Sequence, residues 1–82
     1  MEQRFKCPCC DYRTLSEKPP GTYEICPVCF WEDDLAQSEN PNLEGGANLL
    51  SLNQAKENFA KIGVSDPASL GNIRPPTEEE KQ

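Results

Sequence analysis

Residues 7–10 read Cys-Pro-Cys-Cys and residues 26–29 read Cys-Pro-Val-Cys. Set one above the other, the two share the pattern Cys-Pro-x-Cys and are separated by fifteen residues. Two residues between thiols allow a tight backbone turn, a knuckle, that presents both sulfurs to one ion. Two knuckles at this separation fall within the spacing Cys-x2-Cys-x15–20-Cys-x2-Cys that marks a tetrahedral thiolate site. The pairing selects Cys7, Cys10, Cys26 and Cys29 as candidate metal ligands and leaves Cys9 as a fifth thiol, in the place Val28 holds on the other side. An all-thiolate tetrahedron favours Zn²⁺, and the same ligands accept iron. Four protein ligands leave no open position for a substrate, so the expected role of the site is to hold the fold.

The rest of the composition makes such a site necessary. The chain has 82 residues, enough for one domain. Leu, Ile, Val and Phe make up only 15 of them, below the roughly one-fifth at which a charged chain tends toward disorder. A chain this small then needs disulfides, a metal or a partner. Residues 1–6 lack the apolar core of a signal peptide and no stretch reaches the length of a membrane span, so a cytoplasmic location is expected, with thiols kept reduced. An odd count of five cysteines fits metal binding better than a disulfide framework. A thioredoxin-type dithiol would need one Cys-x-x-Cys to open a helix in a βαβ unit, and no such pattern surrounds either pair.

Charge and histidine content narrow the function. Eight basic residues against 14 acidic ones give a formal net charge of −6, and four thiolates around one divalent cation would lower it further. The basic residues are scattered, which disfavours a nucleic-acid-binding ribbon. There is no histidine to serve as a base near neutral pH, which argues against an enzyme.

Outward from the cysteines, Arg4–Lys6 reads as a short strand entering the first knuckle. Residues 12–17 and 22–25 flank Lys18-Pro19-Pro20-Gly21, a turn signal, and are expected to form a β-hairpin returning the second knuckle to the first. Phe30 and Trp31 are expected to cover the site, and Glu32-Asp33-Asp34 to be a solvated charge run. Loop follows to about residue 48, with Gly45-Gly46-Ala47-Asn48 as a turn; it lacks the Gly-Lys-Ser/Thr ending of a phosphate loop. A helix is expected over about 52–62: Ser51 and Gln54 make a capping box, Leu52, Ala55, Phe59 and Ile62 form an apolar stripe, and Gly63 stops it. The expected organisation is one domain over 1–63 and a Pro-containing acidic tail over 64–82, loosely packed.

The strings Cys7-Pro8-Cys9-Cys10, Cys26-Pro27-Val28-Cys29-Phe30-Trp31-Glu32-Asp33-Asp34 and Gly45-Gly46-Ala47-Asn48, with Ser51, Leu52, Ala55 and Asn58, resemble the bacterial cysteine-rich CPCC family. The resemblance runs over most of residues 5–63 and extends to Arg74-Pro75-Pro76. It implies a small zinc-ribbon-like protein and no particular activity. Asp11 stands where a knuckle often has glycine for a left-handed turn. The knuckles are also similar to those of rubredoxins, which carry electrons on iron, although the connection here is far shorter and glycine is missing after both Cys10 and Cys29.

The expectation is therefore a small metal-stabilised α+β fold: a zinc-ribbon- or rubredoxin-like β-hairpin with two knuckles and one amphipathic helix. Its expected function is a non-enzymatic zinc module contacting a protein partner. A rubredoxin-like iron carrier is the alternative.

Overall fold

The computed structural model describes residues 3–82. In chain order it forms strand β1 (Phe5–Lys6), strand β2 (Arg13–Leu15), a short helix α1 (Leu35–Glu39), helix α2 (Leu52–Ile62) and a 3-10 segment (Pro67–Asn72). None of the helices among the described residues is long and apolar enough to cross a membrane.

The hairpin forms, around a different turn from the one expected. β1 and β2 pair antiparallel, Phe5 opposite Leu15 and Lys6 opposite Arg13, so the ribbon encloses the first knuckle. Residues 22–25 do not join β2. They run against residues 31–33 on the far side of the second knuckle, through Tyr23 N–H to Asp33 O (2.9 Å), Asp33 N–H to Glu24 O (3.0 Å) and an Ile25–Glu32 bridge. Each knuckle brings its own flanks together over four to six residues, the backbone bonds of the turn continuing into the ribbon: Cys7 N–H to Tyr12 O in the first and Cys26 N–H to Trp31 O in the second. The chain bends at residues 19–21, with Gly21 at a φ of 92°. The two ribbons are tied by side chain: Ser16 and Glu17 N–H groups donate to the Glu24 carboxylate.

Helix α2 starts and stops where expected. Ser51 Oγ accepts from Gln54 N–H, Gln54 Oε1 accepts from Ser51 N–H, and Gly63 closes the helix in the left-handed region, φ 77°, its N–H on Phe59 O. Leu52 and Ala55 are buried and Phe59 partly so, whereas Ile62 at the end of the stripe is 45 % exposed. Val64, just past the left-handed turn, is fully buried.

The core is built on the cysteines themselves. Cys7, Cys9, Leu15, Cys26, Val28, Cys29, Trp31, Leu52 and Ala55 form one buried cluster, with Phe5, Cys10, Tyr12 and Phe59 packed against it. Tyr12 meets Phe59 edge to face at 6.1 Å, a contact between the first knuckle and α2.

Residues beyond Gly63 return to the second knuckle, where a loose tail was expected. Ser65 N–H donates to Cys29 O (2.8 Å), Asn58 Nδ2 to Ser65 O (2.9 Å) and Arg74 N–H to Pro27 O (3.1 Å). Arg13 N–H donates to Glu80 O (2.8 Å). Arg74 also holds the Glu80 carboxylate with both terminal nitrogens at 2.9 Å, which pulls that carboxyl down from 4.5 to about 2. The strand-poor sequence of this segment hides the three bonds made between backbone groups, because these carry no residue signature.

Candidate metal centre

The two knuckles repeat one set of backbone bonds. In the first, Asp11 N–H donates to Cys7 O (2.9 Å) and Cys7 N–H to Tyr12 O (2.9 Å). In the second, Phe30 N–H donates to Cys26 O (2.8 Å) and Cys26 N–H to Trp31 O (2.9 Å). Both turns end on a residue in the left-handed region, Asp11 and Phe30, each at a φ of 69°. The position that often takes glycine thus keeps its conformation with a side chain attached, at a cost of about 1 kcal/mol each. Proline at Pro8 and Pro27 fixes φ at the second position of each turn.

This arrangement places Cys7, Cys10, Cys26 and Cys29 to bind a metal ion: their four sulfurs all lie within 4.8 Å of one another. Across the knuckles, Cys7 Sγ is 3.6 Å from Cys29 Sγ and Cys10 Sγ is 3.7 Å from Cys26 Sγ. A tetrahedron with metal–sulfur bonds of about 2.3 Å has edges of about 3.8 Å, so the spacing fits such an ion. It is far from the roughly 2.05 Å of a disulfide, and all five cysteines are free. Cys9 stands apart from the four, buried in the core cluster like its counterpart Val28.

Electrostatics at the site follow from crowding four thiols around one point. Hydrogen bonds from Cys10, then Cys29 and Cys7, with a further one from Thr14, hold the Cys26 thiol far below its usual range, against the opposing effect of burial. Cys7 is pushed far up by Cys10 and then Cys26, and Cys10 by Cys26 and then Cys29. Cys29 is lowered by Cys10 and raised by Cys26 and Cys7, with a net shift upward. One thiolate is stabilised at the expense of the others. Four sulfurs so placed would lose that conflict around a divalent cation, since each would then face positive charge.

Thr14, on β2, is a site residue that no motif or spacing singles out. It is buried, and its hydroxyl lies 3.0 Å from Cys26 Sγ, placed to donate to that sulfur when it is ionised. Trp31 is buried against the cysteines as expected of a cover.

The acidic run differs from expectation. Asp33 is fully buried and its Oδ2 accepts from Thr22 N–H (3.0 Å) and Thr22 Oγ (2.8 Å). Asp34 caps α1 through Gln37 N–H and accepts from Ala47 N–H (2.8 Å), and that second bond is the main reason its carboxyl lies below the usual range. The two carboxylates are internal connectors: Asp34 and Asp33 Oδ2 find protein donors in place of water, while Asp33 Oδ1 is buried without a partner. The helix they introduce was read as loop; Asp34 followed three residues later by Gln37 is its only signal.

Gln37 organises the loop that follows. Fully buried, its Nε2 lies 3.0 Å from the carbonyls of Leu43, Asn48 and Leu50, and its Oε1 accepts from Asn48 N–H and Nδ2. Gly46 sits so close that a Cβ there would meet Asp34 Oδ2 and Gln37 Cδ at 2.8 Å. Asn48 reaches back to the second knuckle, its Oδ1 accepting from Glu32 N–H (2.9 Å) and its Nδ2 donating to Glu32 O (2.7 Å).

No curated protein matches the chain. The family model described as cysteine-rich CPCC matches residues 5–80, a span that takes in both knuckles, the loop, α2 and the returning tail. That match covers nearly the whole sequence, and the chain belongs to the cysteine-rich CPCC family.

Proposed function

We propose that the protein is a small zinc-ribbon-like module in which Cys7, Cys10, Cys26 and Cys29 hold one structural Zn²⁺, and that it works by contacting another protein. The observation that carries the reading is the set of four sulfurs at tetrahedral spacing in the middle of the core. Structural zinc supplies on the order of 10 kcal/mol of apparent binding free energy, which is folding free energy when the site does not exist in the unfolded chain. The hydrophobic core of a chain this size supplies a few kcal/mol.

Each residue has a part in that role. The four thiolates complete the coordination shell, Thr14 orients Cys26, and Val28, Cys9 and Trp31 keep the site in an apolar surround that water does not enter. With every coordination position taken by protein, the site has no place for a substrate, which supports a non-enzymatic role. An acidic surface with no histidine leaves protein contact as the best-supported use.

Metal analysis of protein purified natively without added metal tests the reading. One zinc per chain in a colourless sample is expected. Stoichiometric iron in a red sample would replace it with electron transfer by a rubredoxin-like site.

A further inference from the structure

A cleft of about 160 Å³ lies beside the second knuckle, lined by Ile25, Trp31, Glu32, Leu49, Leu50 and Asp66 among others, and none of its lining residues is basic. Two features single it out. Glu32 is half-buried; Asn48 engages its backbone, and its carboxylate has no partner among the described residues. Leu49 is 75 % exposed, the most of any large apolar side chain described, and Ile25 is 46 % exposed. An unused carboxylate and uncovered apolar surface therefore converge on one concave site in an acidic protein.

We propose that this cleft docks a short extended segment of a basic partner protein. A lysine or arginine of the segment pairs with Glu32, and a neighbouring apolar side chain covers Leu49 and Ile25. Charge complementarity selects this occupant: an acidic cleft on a chain of net charge −6 repels nucleic acid and acidic peptides alike. The inference rests on the protein-contact reading above and names the chemistry of the contact.

Trp31 is the only tryptophan and lines the cleft, so its fluorescence and its indole N–H resonance, read together with the Ile25, Glu32 and Leu49 amides, report on binding there. The probe is a hexapeptide of alternating leucine and lysine, with its leucine–glutamate counterpart as control, titrated into zinc-loaded ¹⁵N-labelled protein. The lysine peptide is expected to shift the Trp31 indole signal and the Ile25, Glu32 and Leu49 amides, and the glutamate peptide to leave them in place. Glu32→Gln and Leu49→Ser, neither of which touches the metal site, are each expected to weaken binding by about three- to tenfold with zinc content unchanged. Unmoved Trp31 and cleft signals at excess lysine peptide would overturn the proposal, as would equal binding by Glu32→Gln. So would a concentration-dependent dimer closing the cleft. Shifts confined to another face refute the cleft and leave the protein-contact reading standing, whereas native iron refutes the zinc reading and leaves the titration interpretable.

Discussion

Replacing Cys9 and Cys10 one at a time with serine asks the same question of adjacent sulfurs, and the structure gives opposite answers for them. Cys10 Sγ forms one tetrahedral edge of 3.7 Å with Cys26 Sγ, while Cys9 lies outside the set of four. If about 10 kcal/mol of apparent zinc affinity is shared among four thiolates, removing one costs at least about 2.5 kcal/mol, or on the order of 100-fold in affinity. Serine at position 9 leaves the shell intact and costs about 1 kcal/mol for placing a hydroxyl where a buried thiol packed. Zinc per chain after native purification, followed by the rate of transfer to a chromogenic chelator, separates the two. Cys9→Ser should keep one zinc and release it at the wild-type rate, and Cys10→Ser should arrive depleted or lose its metal quickly. Equal depletion in both, or a loaded Cys10→Ser beside an empty Cys9→Ser, would refute the assignment of ligands.

Stripping the metal with a strong chelator is expected to collapse the amide spectrum, and a sample keeping its dispersion would show that the core stands without it. Zinc uptake by that unfolded chain at pH 7 should release close to four protons, counted by calorimetry in buffers of different ionisation enthalpy. Three would indicate a preformed site, in which the Cys26 thiol is already ionised and the other three are held protonated. Gln37→Leu leaves the carbonyls of Leu43, Asn48 and Leu50 and the amides of Asn48 without their partner, for a loss of about 3–4 kcal/mol in chemical denaturation. Arg74→Ala removes the pair with Glu80, in which Arg74 is 44 % exposed, and is worth only about 0.5–1 kcal/mol; the Arg13 amide that donates to Glu80 should exchange with solvent severalfold faster while the zinc stays.

What the sequence makes legible here is what depends on short-range chemistry. The two knuckles, the capping box at Ser51 and the stop at Gly63 each need particular residues at fixed offsets, so they are visible without a structure. The pairing of β1 with β2 is not, because residues 5–6, 12–17 and 22–25 are all β-prone and only the closure of each knuckle decides between partners. Asp33 and Asp34 look like surface charge because their partners, Thr22 and the Ala47 amide, lie 11 and 13 residues away. Thr14 is invisible for the same reason: a threonine twelve residues from the sulfur it faces carries no mark of that contact.

Asn48 has a consequence of a different kind. Its carboxamide satisfies both the N–H and the C=O of Glu32 on the side facing away from Ile25. One side chain thereby seals what would be an open strand edge, the feature through which small β-ribbons recruit one another into larger assemblies. Alanine at position 48 would uncover a template beside the second knuckle. The expected signature is association that grows with protein concentration at temperatures where the monomer is still folded.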